Sequence, residues 1–243
     1  QMELVMIPSN GTPLNICSDN QDRVLFGDYG FNGIKKLYVS TDKGYSFEEF
    51  WRFDEGDIRH VHGIQPDPFD GGFWVFAGDF STQPGIARLS NDLKNFDWIE
   101  RGHQMVRTVK AIIEPNYIYY GTDTEFEQNY IVKMDKKTGK WERLQPIAGA
   151  SLHATRFGNL RIISTSVDSS KFCEQFSALY VSTQSDENWN LLKKYDKDFW
   201  SPRYFQYGTC VLPNNVSETP FGIFSGQALK AIDGQTVIFE WNN

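Results

Sequence analysis

Short runs of Val, Ile, Leu, Tyr, Phe and Trp alternate with clusters of Gly, Asp, Asn, Ser and Pro along the whole chain. Arg23-Val-Leu-Phe26, Lys36-Leu-Tyr-Val39, Gly72-Phe-Trp-Val-Phe76, Tyr117-Ile-Tyr-Tyr120 and Leu160-Arg-Ile-Ile163 are typical. No stretch of 12 or more residues sustains the i, i+3, i+4 apolar spacing of an amphipathic helix. Short runs rich in β-branched and aromatic residues, bounded by turn formers, predict an all-β protein with many short strands.

The strands recur with a period. Five strand-to-turn segments align: Leu25-Phe-Gly-Asp28, Phe76-Ala-Gly-Asp79, Tyr120-Gly-Thr-Asp123, Ser164-Thr-Ser-Val-Asp168 and Phe224-Ser-Gly-Gln227. A second series follows, each with a polar turn and then an aromatic: Ser40…Phe47, Ser90…Phe96, Asp135…Trp141, Ser182…Trp189 and Asp233…Phe239. Spacing within each series is about 45 to 50 residues, the length of a four-stranded propeller blade. Five such units nearly exhaust the chain. The expectation is one domain over residues 1–243, a five-bladed β-propeller of four-stranded antiparallel blades, with a β-sandwich or another barrel as the alternative. Residues 3–7 precede the first unit and are expected to add an edge strand that helps close the ring. A lone meander cannot bury both its faces, so it packs against further copies of itself, and large aromatics fill the spaces between blades.

One turn carries a motif. Ser40-Thr-Asp42-Lys-Gly44-Tyr-Ser-Phe47 matches Ser-x-Asp-x-Gly-x-x-aromatic in full, and Ser90-Asn-Asp92…Phe96 matches without the glycine. Asp135-Lys-Lys-Thr-Gly139-Lys-Trp141 and Ser182…Asp186…Trp189 are looser copies. The pattern resembles the Asp-box, or BNR repeat, of sialidases and other propellers. That resemblance implies a hairpin between the third and fourth strands of a blade, on the face away from the active site. It makes Asp42 and Asp92 structural, with Gly44 taking a positive φ. The chain departs from sialidases, having no Arg-Ile-Pro motif and one blade fewer than their six. Arg59-His-Val-His62-Gly63 followed by Phe76-Ala-Gly-Asp79 resembles BNR-type propellers associated with glycan metabolism.

Charge and composition narrow the partners. The net charge of −7 argues against a nucleic-acid binder held by a basic surface. No apolar run approaches the roughly 20 residues that span a bilayer, so no membrane partner is expected. Three cysteines (Cys17, Cys173, Cys210) are too few and too odd in number for a disulfide framework; Cys17 and Cys210 are expected in inner strands as small core residues. No basic segment followed by an apolar one opens the chain, which tilts localisation toward the cytoplasm without fixing it. Gln1 ahead of Met2 fits either a natural start at Met2 or removal of a leader. Asn10-Gly-Thr12 and Asn215-Val-Ser217 fit the glycosylation acceptor pattern, which is common by chance.

In a propeller of this type the starts of the inner strands and the turns after the second strands meet on one face, where ligands bind. Those positions are unusually polar here. The inner-strand starts supply Arg59, His60 and His62, then Arg107, then His153 and Arg156, then Gln206 and Tyr207. The turns supply Asp28, Asp79, Asp123 and Glu125. Expected to act in catalysis are His60, His62, Asp79, Arg107, His153 and Tyr207; Asp28, Arg59, Asp123, Glu125, Arg156 and Gln206 are expected to bind substrate. Each has a plainer role available, as turn-capping aspartate, solvent-facing histidine or inter-blade ion pair.

The set fits several chemistries. A glycosidase needs two carboxylates flanking the scissile bond. A polysaccharide lyase needs a cation for the uronate carboxylate, a base for the C5 proton and an acid for the leaving oxygen, which an arginine, a histidine and Tyr207 match. His60, His62 and His153 with Asp79 also resemble a mixed N/O metal set, although no cofactor is expected. No nucleophile elbow, phosphate loop or dinucleotide fingerprint is present. Rim residues differ from blade to blade, which favours one central site over a repeated one. The expected function is a carbohydrate-active propeller that cleaves or modifies a glycan, with a single-site sugar binder and then a protein scaffold as alternatives.

Overall fold

The computed structural model describes residues 12–30, 33–214 and 216–241. The strand expected over residues 3–7, and Asn10 and Asn215 of the two acceptor triplets, lie outside the described residues. Among the described residues, twenty strands form five four-stranded antiparallel sheets. They fall into two compact units, Gln1–Arg107 and Thr108–Asn243. No helix among the described residues is long and apolar enough to cross a membrane.

The first unit holds two meanders, each running in chain order. One consists of β1 (Ile16–Ser18), β2 (Val24–Gly27), β3 (Lys36–Ser40) and β4 (Glu48–Arg52); the other of β5 (Val61–Pro66), β6 (Phe73–Ala77), β7 (Gly85–Leu89) and β8 (Phe96–Arg101). Middle strands are apolar on both faces because both faces are covered: every residue of β6, Phe-Trp-Val-Phe-Ala, is buried. Leu25, Leu37 and Val39 of the first sheet pack with Val61, Ile64, Val75 and Leu89 of the second in one core. Trp51 stacks on Phe96 at 5.0 Å between ring centres, as expected of aromatics that fill the space between blades.

The repeated glycine at the end of the second strand has a steric cause. A Cβ on Gly27 would fall inside the side chain of Val61 at the start of β5, and the Val61 N–H donates to the Asp28 carbonyl at 2.9 Å. The same arrangement recurs in the second unit, where a Cβ on Gly121 would meet Ser151 and the Ser151 N–H donates to the Thr122 carbonyl at 2.9 Å. Gly78 of the second repeat serves differently, at φ 117° with Pro84 pressed against it.

The second unit contains β9 (Ala111–Ile113), β10 (Tyr117–Gly121), β11 (Tyr130–Asp135) and β12 (Trp141–Pro146) as one meander. The next sheet is β13 (His153–Phe157), β14 (Leu160–Ser164), β16 (Phe176–Thr183) and β17 (Asn190–Asp196). The last breaks the pattern. Its strands β18 (Gly208–Val211), β19 (Phe221–Gln227) and β20 (Thr236–Glu240) run in order, but the strand beside β18 is β15 (Ser166–Val167), two residues supplied by the chain just past β14. Asp233 therefore lies between the third and fourth strands of its sheet, as the four turns with which its sequence aligns do, whereas residues 224–227, expected to end a second strand, end the third. Cys210 is buried here with Phe157, Leu160 and Phe224, and Cys17 of β1 packs on the first unit's core. Between β9–β12 and its neighbour, Arg161 Nε and Nη2 donate to the two carboxylate oxygens of Glu114, each at 2.7 Å, with the guanidinium over the Tyr119 ring.

The motif turn joins β3 to β4. Ser40 Oγ donates to Asp42 Oδ1 at 2.7 Å, the Ser46 N–H donates to the same oxygen at 2.8 Å, and Lys43 and Gly44 both take positive φ. Hydrogen bonds from Ser46 and then Ser40 bring the Asp42 carboxyl down to about 2. Asp92 accepts from Ser90 Oγ in the same way between β7 and β8, where Leu93 occupies the left-handed position at φ 63°.

Candidate functional site

The pairing of Val61 with Ala77 sets the end of β6 beside the start of β5, and the Gly78 N–H donates to the His60 carbonyl at 3.1 Å. Asp79 follows at once. Its carboxylate meets two imidazoles and two guanidiniums from two segments. His62 Nε2 donates to Oδ1 at 2.9 Å and His60 Nε2 to Oδ2 at 2.7 Å, while the guanidiniums form ion pairs, Arg107 Nη2 at 3.2 Å from Oδ1 and Arg59 Nη1 at 3.3 Å from Oδ2. A register shift between Val61 and Gly63 places the irregularity of β5 at His62. Arg107 is delivered by a single 3₁₀ turn, Gln104–Val106, whose Met105 and Val106 are buried and whose Gln104 Nε2 donates to the Asp79 carbonyl at 2.9 Å.

This arrangement fixes the charge of Asp79. Burial opposes ionisation and is the largest single influence. Hydrogen bonds from His60 and His62, with the charges of His62 and Arg107, outweigh it and hold the carboxyl well below the usual carboxylate range. Each carboxylate oxygen thus accepts from one imidazole and pairs with one guanidinium.

The cluster is deep but not closed. His60 and His62 are each only 2% exposed, whereas the Arg59 side chain is 30% exposed. The ring of Tyr29 stacks on His60 at 4.3 Å and lies 6.3 Å from that of His62. The Arg59 guanidinium sits 4.5 Å from the centre of the Phe80 ring. Beside it opens a hollow of about 300 Å³ lined by Lys35, Glu55, Ile58, Arg59, Phe80 and Gln83. Burial lowers the Lys35 ammonium from its ordinary range, against the pull of Asp28. Its Nζ donates to the Gly33 carbonyl at 2.8 Å.

Five of the expected residues thus converge: Arg59, His60, His62, Asp79 and Arg107. Asp28, in the same unit, is buried and accepts from the Lys36 N–H at 3.1 Å, so its carboxylate braces the β2–β3 connection. The expected residues of the second unit enter separate contacts. His153 opens β13, where burial and then the Lys110 charge lower its imidazole to about 4. Arg156 does not belong at a strand start. It pairs with Arg161 beside the β13–β14 hairpin, at the far end of the strand from His153, and donates to Glu218 Oε1 at 2.6 Å and to the Gly158 carbonyl. Glu125 is exposed, with its carbonyl accepting from Ser170 Oγ at 3.0 Å; Asp123 is half-buried at the end of the β10 turn. Gln206 and Tyr207 do not open an inner strand, since they precede β18 and β15 takes the edge beside it; Gln206 Oε1 accepts from Gln227 Nε2 at 2.7 Å, and Tyr207 is exposed.

No group of three or more His, Cys, Asp and Glu among the described residues is arranged to hold a metal ion. The Nε2 atoms that would serve as ligands point at Asp79 itself. Lys35, Phe80 and Gln104 were not singled out from sequence. Phe80 had a signal in its place next to Asp79; Lys35 and Gln104 had none, since each reaches the site through a turn.

No family model matches the chain, and no curated protein sequence does. Solved structures do. A GH74 xyloglucanase from Xanthomonas campestris superposes with a TM-score of 0.57 at 14% identity, over 90% of this chain and 36% of that one. A GH74 enzyme from Niastella koreensis gives 0.51 at 16% identity, over 72% and 28%. TolB from Acinetobacter baumannii gives 0.52 at 12% identity, over 91% and 56%. The chain therefore spans about a quarter to just over half the length of these structures. Five four-stranded sheets and propeller neighbours agree on the architecture. This chain is a five-bladed β-propeller. At such identity the likeness shows the fold alone, and the propeller is a scaffold on which many functions sit.

Proposed function

We propose that this propeller is carbohydrate-active and takes an acidic glycan at the hollow beside Arg59, breaking it by β-elimination. The observation that supports this is the engagement of Asp79 by two imidazoles and two guanidiniums, those of His60, His62, Arg59 and Arg107. A buried carboxylate that accepts from two imidazoles, pairs with two guanidiniums and stays ionised is a poor nucleophile and no proton donor. Asp79 is thus a positioning residue, and a hydrolytic carboxylate pair built on it loses its footing.

The groups around it match elimination better. Arg59 and Lys35 line the hollow and supply positive charge for a uronate carboxylate, which acidifies the C5 proton. Tyr29, stacked on His60, brings a phenol to the cluster in the part that the sequence assigned to Tyr207. A base removes the C5 proton, the electron pair forms the C4–C5 double bond, the C4–O bond breaks, and the leaving oxygen takes a proton from the acid. A second reading, an acidic-glycan binder without turnover, is favoured by the burial of both imidazoles.

The test is incubation of the full chain with oligouronates, following unsaturated-uronate absorbance, with binding measured by calorimetry. Elimination predicts rising absorbance that Tyr29→Phe lowers about 100-fold or more, and that Arg59→Ala lowers chiefly through weaker binding. Binding without absorbance selects the second reading. Neither binding nor absorbance across a range of oligouronates overturns both.

A further inference from the structure

The loop between β17 and β18 exposes aromatic side chains that no core accounts for. Phe199 is 82% exposed and Tyr204 74%, with Trp200 and Phe205 about half exposed. Trp200, Tyr204 and Phe205 wall a hollow of about 460 Å³, on whose other side stand Gln227 and Ala228 at the end of β19. Trp200 lies 4.6 Å from Phe199 and 4.8 Å from Phe205 between ring centres, tilted by 38° and 45°.

The wall is held in place rather than loose. The Trp200 N–H donates to Asp198 Oδ1 at 2.9 Å, and the buried Lys197 ammonium donates to Asp198 and to the Trp200 carbonyl. The Tyr204 and Phe205 N–H groups both donate to the Ser201 carbonyl, at 3.1 and 3.0 Å. Ala228 forms the floor at φ 54°, a left-handed conformation that costs an alanine energy. It is clamped from both sides: its N–H donates to Asp233 Oδ1 and its carbonyl accepts from the Asp198 N–H.

We propose that this hollow is a second carbohydrate site, one that takes a neutral sugar chain. Three features of the lining select that ligand. Pyranose faces present C–H groups, which pack on electron-rich ring faces such as those of Trp200 and Phe205. Gln206 and Gln227, joined at 2.7 Å, place two amides side by side. Each amide both donates and accepts, and so does each hydroxyl of a vicinal diol. The ionisable groups of the lining are Asp198, Asp233 and Tyr204, with no lysine or arginine. Carboxylates accept from hydroxyls; Asp198 is already paired with Lys197, Asp233 repels anions, and the lining has no cation of its own for a uronate, sulfate or phosphate, which sets it apart from the Arg59 hollow. The second site stands on its own residues and does not depend on the elimination chemistry.

Calorimetric titration of the full chain with a panel of neutral cello-, xylo- and manno-oligosaccharides tests it, with an oligouronate titrated in parallel. At least one neutral oligosaccharide binds, and Trp200→Ala combined with Phe205→Ala weakens it about tenfold or more. Trp200→Phe keeps most of the affinity, and Arg59→Ala leaves it unchanged. Native circular dichroism of each variant separates lost binding from lost fold, and Gln206→Ala gives an independent, milder loss. Absence of binding across the panel overturns the second site, and so does affinity unchanged in the double variant. Oligouronate binding that falls in Arg59→Ala and not in Trp200→Ala speaks only to the Asp79 cluster, so the two readings fail separately.

Discussion

Asp79 sets one negative charge against two arginines and two histidines in a space where little water reaches. Removing that charge leaves the cations to repel one another without a partner, and a buried pair broken on one side costs about 3–5 kcal/mol. Asp79→Asn is therefore expected to lower stability by about that amount, read as a fall in the urea midpoint with an unchanged slope. A midpoint within about 0.5 kcal/mol of the parent chain would mean that the cluster is not the electrostatic knot described. At this scale the sequence was legible where chemistry follows from residue type and strand position. His60 and His62 two apart at a strand start, and Asp79 after a strand and the glycine that follows it, mark polar positions at neighbouring strand ends. It was not legible for Arg156, because a five-residue strand has its two ends only three residues from each other's neighbours, and position 156 falls at the hairpin end. Nor was it legible for Lys35 and Gln104, whose backbones approach the site through turns without periodicity.

The elements owe their packing to small residues at repeated places. Gly27 lets the end of β2 lie against Val61 of β5, and Gly121 does the same for β10 and Ser151. A methyl group at either position must displace a neighbour that is itself buried, and overpacking of that kind costs about 1–3 kcal/mol. Gly27→Ala should thus destabilise the chain by that amount, and Val61→Ala in the same background should recover part of the loss in chemical denaturation. Failure of that rescue would show that the contact is not what demands glycine. The repeat was visible in sequence at β2 and β10, which end on the same problem, while Gly78 after β6 serves differently and β14 ends on Ser164. In the fifth repeat the turn at Asp233 falls where the other four do, but residues 224–227 close the third strand of the sheet and not the second, because β15 supplies the strand beside β18. Its strands are out of step, with two residues past β14 closing the sheet where a full strand was expected.

For the whole molecule, acid is the revealing variable. The folded chain holds the Asp79 carboxyl below its ordinary 3.8, so its stabilising contribution is present above that value and is lost as pH falls through the depressed one. His153 acts earlier. Its folded value of about 4 lies below the ordinary 6.5, so between these the unfolded chain takes up a proton that the folded chain refuses. Stability is expected to decline from pH 6.5 toward pH 4 by something on the order of 3 kcal/mol, then to fall again as Asp79 protonates. Denaturation curves across that range check it, and His153→Gln should flatten the upper part while leaving the lower. The sequence by itself determined the class of the molecule: all-β, five repeats, antiparallel blades, and aromatics between them, because strand length, turn chemistry and period are local properties. It also marked which polar residues deserved suspicion. Tertiary structure alone decided which of them meet, since a hydrogen bond between Arg107 and Asp79 depends on where a 3₁₀ turn sets down a side chain 28 residues away. It decided too that Asp79 would be buried among cations and held ionised, because the protonation and exposure of a carboxylate are set by neighbours that the chain brings together only on folding.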